Sequence, residues 1–187
     1  MYKVNGGFSC DRQSKYDFTA STVSYLSSKY EDKEIELKFK ELDENGVEVD
    51  FDNCNSYDKS RVDLIMYFNG KKYVIELKER WGKYTSSFYG KEDDVEGWML
   101  NIDKVQELNK LDGTPLYVNL YMDGKIRIWN LNKIDDYQTI TKFIHKTTVL
   151  DSEIKKQDRF QVWNKDSILL DRITGEPSKG VWHKGAI

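Results

Sequence analysis

Cysteine and proline are scarce in this chain of 187 residues, with 2 of each. Cys10 and Cys54 cannot form a disulfide framework and lack metal-ligand spacing, so reduced thiols and a cytoplasmic location are expected. With so little proline and only 12 glycines, collagen-like or low-complexity character is excluded. Apolar runs are only a few residues long, so no segment is expected to span a membrane, and residues 1–7 lack the apolar stretch of a signal peptide. An excess of basic charge is missing too. Lys and Arg number 29 against 32 Asp and Glu, for a net charge of −3, so phosphate contacts must come from a local patch. His145 and His183 are isolated and make no metal cluster with the cysteines.

Aromatic bulk, by contrast, is ample. Five Trp, 12 Tyr and 8 Phe can fill the core of one domain of this length without staples. Tyr16, Ala20, Val23, Leu26 and Tyr30 recur at helical spacing and predict a helix over 14–30. Glu34 to Leu42 alternates, with Ile35, Leu37 and Phe39 against Glu36, Lys38 and Lys40, as a half-buried strand does. Asn45-Gly46 is a turn signal before a short strand at 47–51. Strands at 61–68 and 72–78 flank Asn69-Gly70, whose preference for positive φ at both central positions makes a two-residue hairpin. Trp98, Ile102, Val105, Leu108 and Leu111 form one stripe, predicting a helix over 95–111 that ends at Asp112-Gly113. Strands at 116–122 and 125–131 around Asp123-Gly124 form a second hairpin, and 160–163 and 167–170 read as short strands. The order predicts an α/β or α+β sheet with helices packed on it.

The Asn69-Gly70 turn sets a register. Phe68 pairs with Lys71, and counting outward Leu64 meets Ile75 and Asp63 meets Glu76. Lys78 points to the face of Glu76 and lies opposite Arg61. Val62, Leu64, Met66, Tyr73, Ile75 and Leu77 make up the other, buried face. Two acids directly opposite each other destabilise a strand pair unless one takes up a proton or a cation intervenes. A hard divalent cation fits, since Mg²⁺ binds one or two carboxylates plus substrate phosphate, and Lys78 beside it can steer a water or hold a phosphate oxygen. The set reads as metal-assisted phosphodiester hydrolysis. A solvated sheet face would account for each charge singly, but not for acid opposite acid among apolar neighbours.

Asp63, twelve intervening residues, then Glu76-Leu77-Lys78 resembles the PD-(D/E)XK nuclease superfamily, whose members include restriction-endonuclease-like and Holliday-junction-resolvase-like enzymes. The resemblance covers about residues 14–131, leaving 132–187 as a C-terminal extension of a single nuclease-like domain. It implies a restriction-endonuclease-like core: a central mixed β-sheet flanked by helices, in the order helix, three strands, helix, strand. It implies that Asp63 and Glu76 bind Mg²⁺ or Mn²⁺ and that Lys78 activates or positions the attacking water. DNA is the implied partner, with a homodimer one option for assembly, in an intracellular protein of bacterial or phage type. Val62 stands where the family often has proline. The first-helix acid that many members carry has only Asp17 and Glu31 as counterparts, and an acid placed as Asp17 is more often a helix N-terminal residue favoured by the macrodipole. Asp50, Asp52 and Asp58 are further oxygen donors upstream of Asp63. Lys104 and Gln106 lie off the apolar stripe of the second helix, where the family often places a polar or basic residue that reaches toward the site; otherwise they belong to a solvated helix face.

Residues 71–91 carry a net +4, from Lys71, Lys72, Lys78, Arg80, Lys83 and Lys91 against Glu76 and Glu79, with Trp81, Tyr84, Phe88 and Tyr89 interleaved. Such a segment suits phosphate contacts and base stacking, with Lys72, Arg80, Lys83 and Tyr84 as candidates, or else it packs on its own domain. Two functions follow as expectations: a metal-dependent DNA endonuclease, acting on branched or structured DNA as one option, or a catalytically inactive nucleic-acid-binding or interaction module on the same fold.

Overall fold

The computed structural model describes residues 7–51, 62–80, 97–134, 138–144, 155–176 and 181–183. In chain order the elements are α1 (Gly7–Lys29), β1 (Glu36–Leu42), β2 (Glu48–Asp50), β3 (Leu64–Phe68), β4 (Lys71–Arg80), β5 (Gly97–Asn101), α2 (Ile102–Asn109), β6 (Thr114–Tyr121), β7 (Lys125–Asn130), β8 (Gln138–Ile144), β9 (Lys155–Trp163), β10 (Ser167–Asp171) and β11 (Val181–His183). No described helix is long and apolar enough to cross a membrane.

The main sheet has the order β10-β7-β6-β4-β3-β1-β11, with β2 also on β1. It is mixed: β4 and β6 run parallel and their neighbours pair antiparallel. A parallel pair needs a crossover connection, and here that connection contains α2. The sheet therefore separates two cores. On one face Tyr16, Val23 and Leu26 of α1 pack with Leu37, Phe39, Leu64, Met66, Ile75 and Val118. On the other, Val105 and Leu108 of α2 join Ile65, Val74, Tyr117 and Trp129.

The β3–β4 turn has φ of 47° at Asn69 and 79° at Gly70, as the dipeptide requires. The pairing from Phe68↔Lys71 to Leu64↔Ile75 follows the expected register.

The second helix is shorter than its periodicity predicts. Residues 97–101 form β5, which pairs with β9 in a small sheet of order β5-β9-β8. Trp98 and Leu100 are buried at strand spacing, and Asn101 caps α2 by accepting the Asp103 N–H at 3.0 Å. Trp98 fits both the helical stripe and the strand face, and pairing to a segment sixty residues away decided between them. The Trp129 indole N–H donates to the Trp163 carbonyl at 2.8 Å and ties the small sheet to the large one.

The C-terminal segment reaches both edges of the main sheet, with β10 on β7 and β11 on β1. After β10, residues 172–175 run along α1. Asp17, Ser21 and Thr22 of α1 are buried. Asp17 accepts the Arg172 guanidinium at 2.9 Å and the Gly175 N–H at 3.0 Å, and Ser21 Oγ accepts the Ile173 N–H at 2.8 Å. A helix covered on two sides needs no single apolar stripe, which explains its weak amphipathic signal.

Gly175 lies so close to α1 that a Cβ there would stand 2.1 Å from the Tyr16 carbonyl oxygen. Gly175→Ala should lower stability by about 1–3 kcal/mol through overpacking, read as a lower urea midpoint. An unchanged midpoint would mean that residues 172–176 do not pack on α1 in this way.

Candidate active site

Four elements meet at the end of β4 remote from its turn: β3, β4, α1 and α2. The ladder stops at Leu64↔Ile75, and Asp63 marks a bend. The Asp63 N–H donates to the Ile75 carbonyl at 3.0 Å, and Asp63 Oδ2 accepts the Leu77 N–H at 2.7 Å. The side chain thus takes the place of a backbone acceptor, and strand alternation fails upstream. Val62 packs with Ile65 and Val74 in the α2-side core, not on the face of Leu64 and Met66 as alternation predicts. Asp63 remains beside β4 without being a formal ladder partner of Glu76.

Glu76 is 1% exposed. Its Oε1 accepts the Lys78 ammonium at 2.6 Å, while Lys104 Nζ of α2 stands 3.7 Å from Oε2. Among the described residues Oε2 has no hydrogen-bond partner. Burial, and then the nearby Asp63 charge, push the Glu76 carboxyl above its usual range against the opposing effect of Lys78. Burial works to lower the Lys78 ammonium, but the Glu76 charge and hydrogen bond and the Asp63 charge outweigh it and raise the group. Lys78 therefore stays cationic at neutral pH.

A cavity of about 100 Å³ opens on the α1 side, lined by Ser14, Lys15, Asp63, Leu77, Lys78 and Glu79. Glu79 is committed: it accepts Ser14 Oγ at 2.6 Å and Arg172 through both carboxylate oxygens. A larger cavity of about 460 Å³, bordered by Glu79, Arg80, Tyr121 and Arg172, lies on the side of the C-terminal segment.

The remaining sequence candidates separate clearly. Lys104 is brought to Glu76, whereas Gln106 is solvent-exposed on α2. Asp17 does not face these groups as a free ligand: Oδ1 accepts Gln13 at 2.7 Å and Gly175, and Oδ2 accepts Arg172. The fold uses it to hold the C-terminal segment. Asp50 is exposed beside Lys40. Lys72 lies near the turn and pairs with Glu48 at 2.7 Å. Arg80 turns inward, donating to Asn119 at 2.9 Å and the Tyr117 hydroxyl at 3.0 Å with its guanidinium over Trp98. Lys83 and Tyr84 lie outside the described residues, as do Arg61, Asp52, Asp58, Trp81, Phe88, Tyr89, Lys91, Cys54 and His145.

Lys15 and Glu41 were not among the candidates. Lys15 Nζ pairs with Glu41 Oε1 at 2.5 Å, with side chains 12% and 5% exposed. A signal existed for Glu41, because the alternation that turns Leu37 and Phe39 inward turns Glu41 inward too. Nothing in the helical pattern marked Lys15.

Among the described residues no group of three or more His, Cys, Asp or Glu is arranged to hold a metal. Two carboxylates, one with a buried oxygen that lacks a hydrogen-bond partner among the described residues, nonetheless suit a cation such as Mg²⁺, which keeps several waters and takes few protein ligands. Comparison of the chain with family models, curated proteins and solved structures finds no match.

The raised Glu76 carboxyl makes stability depend on pH. The folded chain holds that proton more tightly than the unfolded one, so the stabilisation is complete below the ordinary value of 4.5 and is lost as pH rises through the raised value. With EDTA present, wild type should lose stability relative to Glu76→Gln as pH rises from about 4 to 8, seen as a growing difference in urea midpoints. A constant difference would mean that Glu76 ionises as an exposed carboxyl does.

Proposed function

We propose that the chain is a metal-dependent nuclease that hydrolyses DNA phosphodiester bonds. The observation that carries this reading is the buried Glu76 carboxylate, whose Oε2 has no hydrogen-bond partner among the described residues, beside Asp63 and in contact with Lys78. Support also comes from the path of the chain: a helix, strands β1, β3 and β4 in antiparallel order, a crossover with α2, then β6 parallel to β4. That is the order expected of a restriction-endonuclease-like core.

Asp63 and Glu76 would hold Mg²⁺ or Mn²⁺. When bound, the cation supplies Lewis-acid stabilisation of phosphoryl oxygen and lowers the pKa of water. Asp63 can offer Oδ1 while Oδ2 keeps its bond to the Leu77 N–H, so the ligand is oriented by the backbone. Lys78, held cationic, is a donor and not a proton acceptor. Its role is to orient the attacking water and to balance charge building on the phosphate. Lys104 offsets the charge of Glu76 from the α2 side.

One observation favours the second reading, a DNA-binding module without catalysis. Lys78 and Lys104 already surround Glu76, and Asp17 is occupied elsewhere. Incubation with linear, flapped and four-way DNA in Mg²⁺ or Mn²⁺ separates the two. The enzyme reading predicts nicking that EDTA abolishes and that Asp63→Asn or Glu76→Gln abolishes. Lys78→Ala should lower kcat by roughly 10²–10³-fold while DNA affinity is kept, as for a group acting in the transition state. Salt-sensitive binding without cleavage would favour the module, and neither binding nor cleavage would overturn both.

A further inference from the structure

Stability alone does not account for the Lys15–Glu41 pair. Buried ion pairs roughly break even against apolar residues of similar volume, and this one leaves Glu41 Oε2 without a hydrogen-bond partner among the described residues. It joins the first helix to β1 directly beside the candidate site. Lys15 lines the small cavity together with Asp63 and Lys78. An ammonium has three N–H donors, and among the described residues Glu41 is the one partner of Lys15. At about 100 Å³ the cavity has the volume of roughly three waters; two lysines border it, and the Glu79 carboxylate that also borders it is already paired with Arg172 and Ser14. Its polar lining suits an anionic oxygen next to Asp63.

We infer that Lys15 is a phosphate-contacting residue of the site, entering from α1 opposite Lys78, and that Glu41 is the positioning residue that aims it. This rests on the nuclease reading. Glu41 holds the ammonium by one donor and leaves the others for a phosphoryl oxygen, so a flexible lysine is pre-ordered at little further entropic cost on binding. Lys15 and Lys78 then flank the phosphate from α1 and from β4, which defines a DNA strand path across the end of β4.

Removing one partner would strand a buried charge, so both are changed together. Lys15→Gln with Glu41→Gln leaves the net charge of the chain unaltered, and any loss of affinity then reports a contact and not a change in global field. A fluorescein-labelled DNA duplex is titrated by anisotropy in EDTA across a range of KCl concentrations. The double variant should bind several-fold more weakly than wild type, with the log–log salt slope reduced by about 0.9, one phosphate contact. Lys15→Arg alone should restore the wild-type slope, since Arg keeps both the pair with Glu41 and the phosphate contact. If the double glutamine variant does not fold, Lys15→Met with Glu41→Leu replaces the pair by apolar groups. Wild-type affinity and slope in a folded double variant would overturn the inference alone and make the pair purely structural. A wild type that binds no DNA would overturn both the inference and the nuclease reading.

Discussion

The turn at Asn69-Gly70 fixes the register of β3 against β4, and the arrangement at the far end of the hairpin depends on it. Both turn residues take positive φ, so the loop is held to two residues. A slip of one residue would move every side chain of the strand to the opposite face. Glu76 would then leave the α2-side core and Leu77 would enter it. Because the register holds, Asp63 arrives where the Leu77 N–H needs an acceptor, and its carboxylate supplies one at 2.7 Å. One turn thereby determines which acid is buried, which is half-exposed, and which lysine lies between them and solvent.

A buried carboxylate this close to a second acid has to be compensated, and the surroundings are organised to do so. Lys78 and Lys104 approach Glu76 from its own strand and from α2. On the α1 side, Arg172 bridges Asp17 and Glu79, and Ser14 donates to Glu79. Breaking the Arg172–Asp17 pair, whose side chains are 16% and 5% exposed, is expected to cost about 3–5 kcal/mol, a large share of a total stability of about 5–15 kcal/mol. The C-terminal segment that delivers Arg172 therefore helps to brace α1 at the edge of the cavity.

The parts of the fold legible in the sequence are those governed by local chemistry. Asn69-Gly70 and Asp123-Gly124 dictate hairpins, and the register of β3 on β4 follows from the first by counting. What escaped depends on distant partners. Trp98 and Leu100 belong to a strand only because β9 pairs with it. β8 and β11 are stabilised by neighbours far away in sequence, and neither has a local turn signal. Val62 changes face because the Asp63 side chain enters the backbone hydrogen-bond pattern, which alternation cannot anticipate. At the candidate site, Asp63, Glu76, Lys78 and Lys104 were legible from register and helix face. Lys15 was not, because its meaning comes from a glutamate on another element. Asp17 was legible as an acid on the first helix, but its partner Arg172 lies 155 residues away.

The proposed site requires that Asp63 and Glu76 share one divalent cation. Calorimetric titration of Mn²⁺ into the wild-type chain, Asp63→Asn and Glu76→Gln tests it most directly. Saturable binding is expected in the wild type, lost in Glu76→Gln and strongly weakened in Asp63→Asn, with all three chains folded. Equal Mn²⁺ affinity in the three proteins, or no affinity in the wild type even with DNA present, would contradict it.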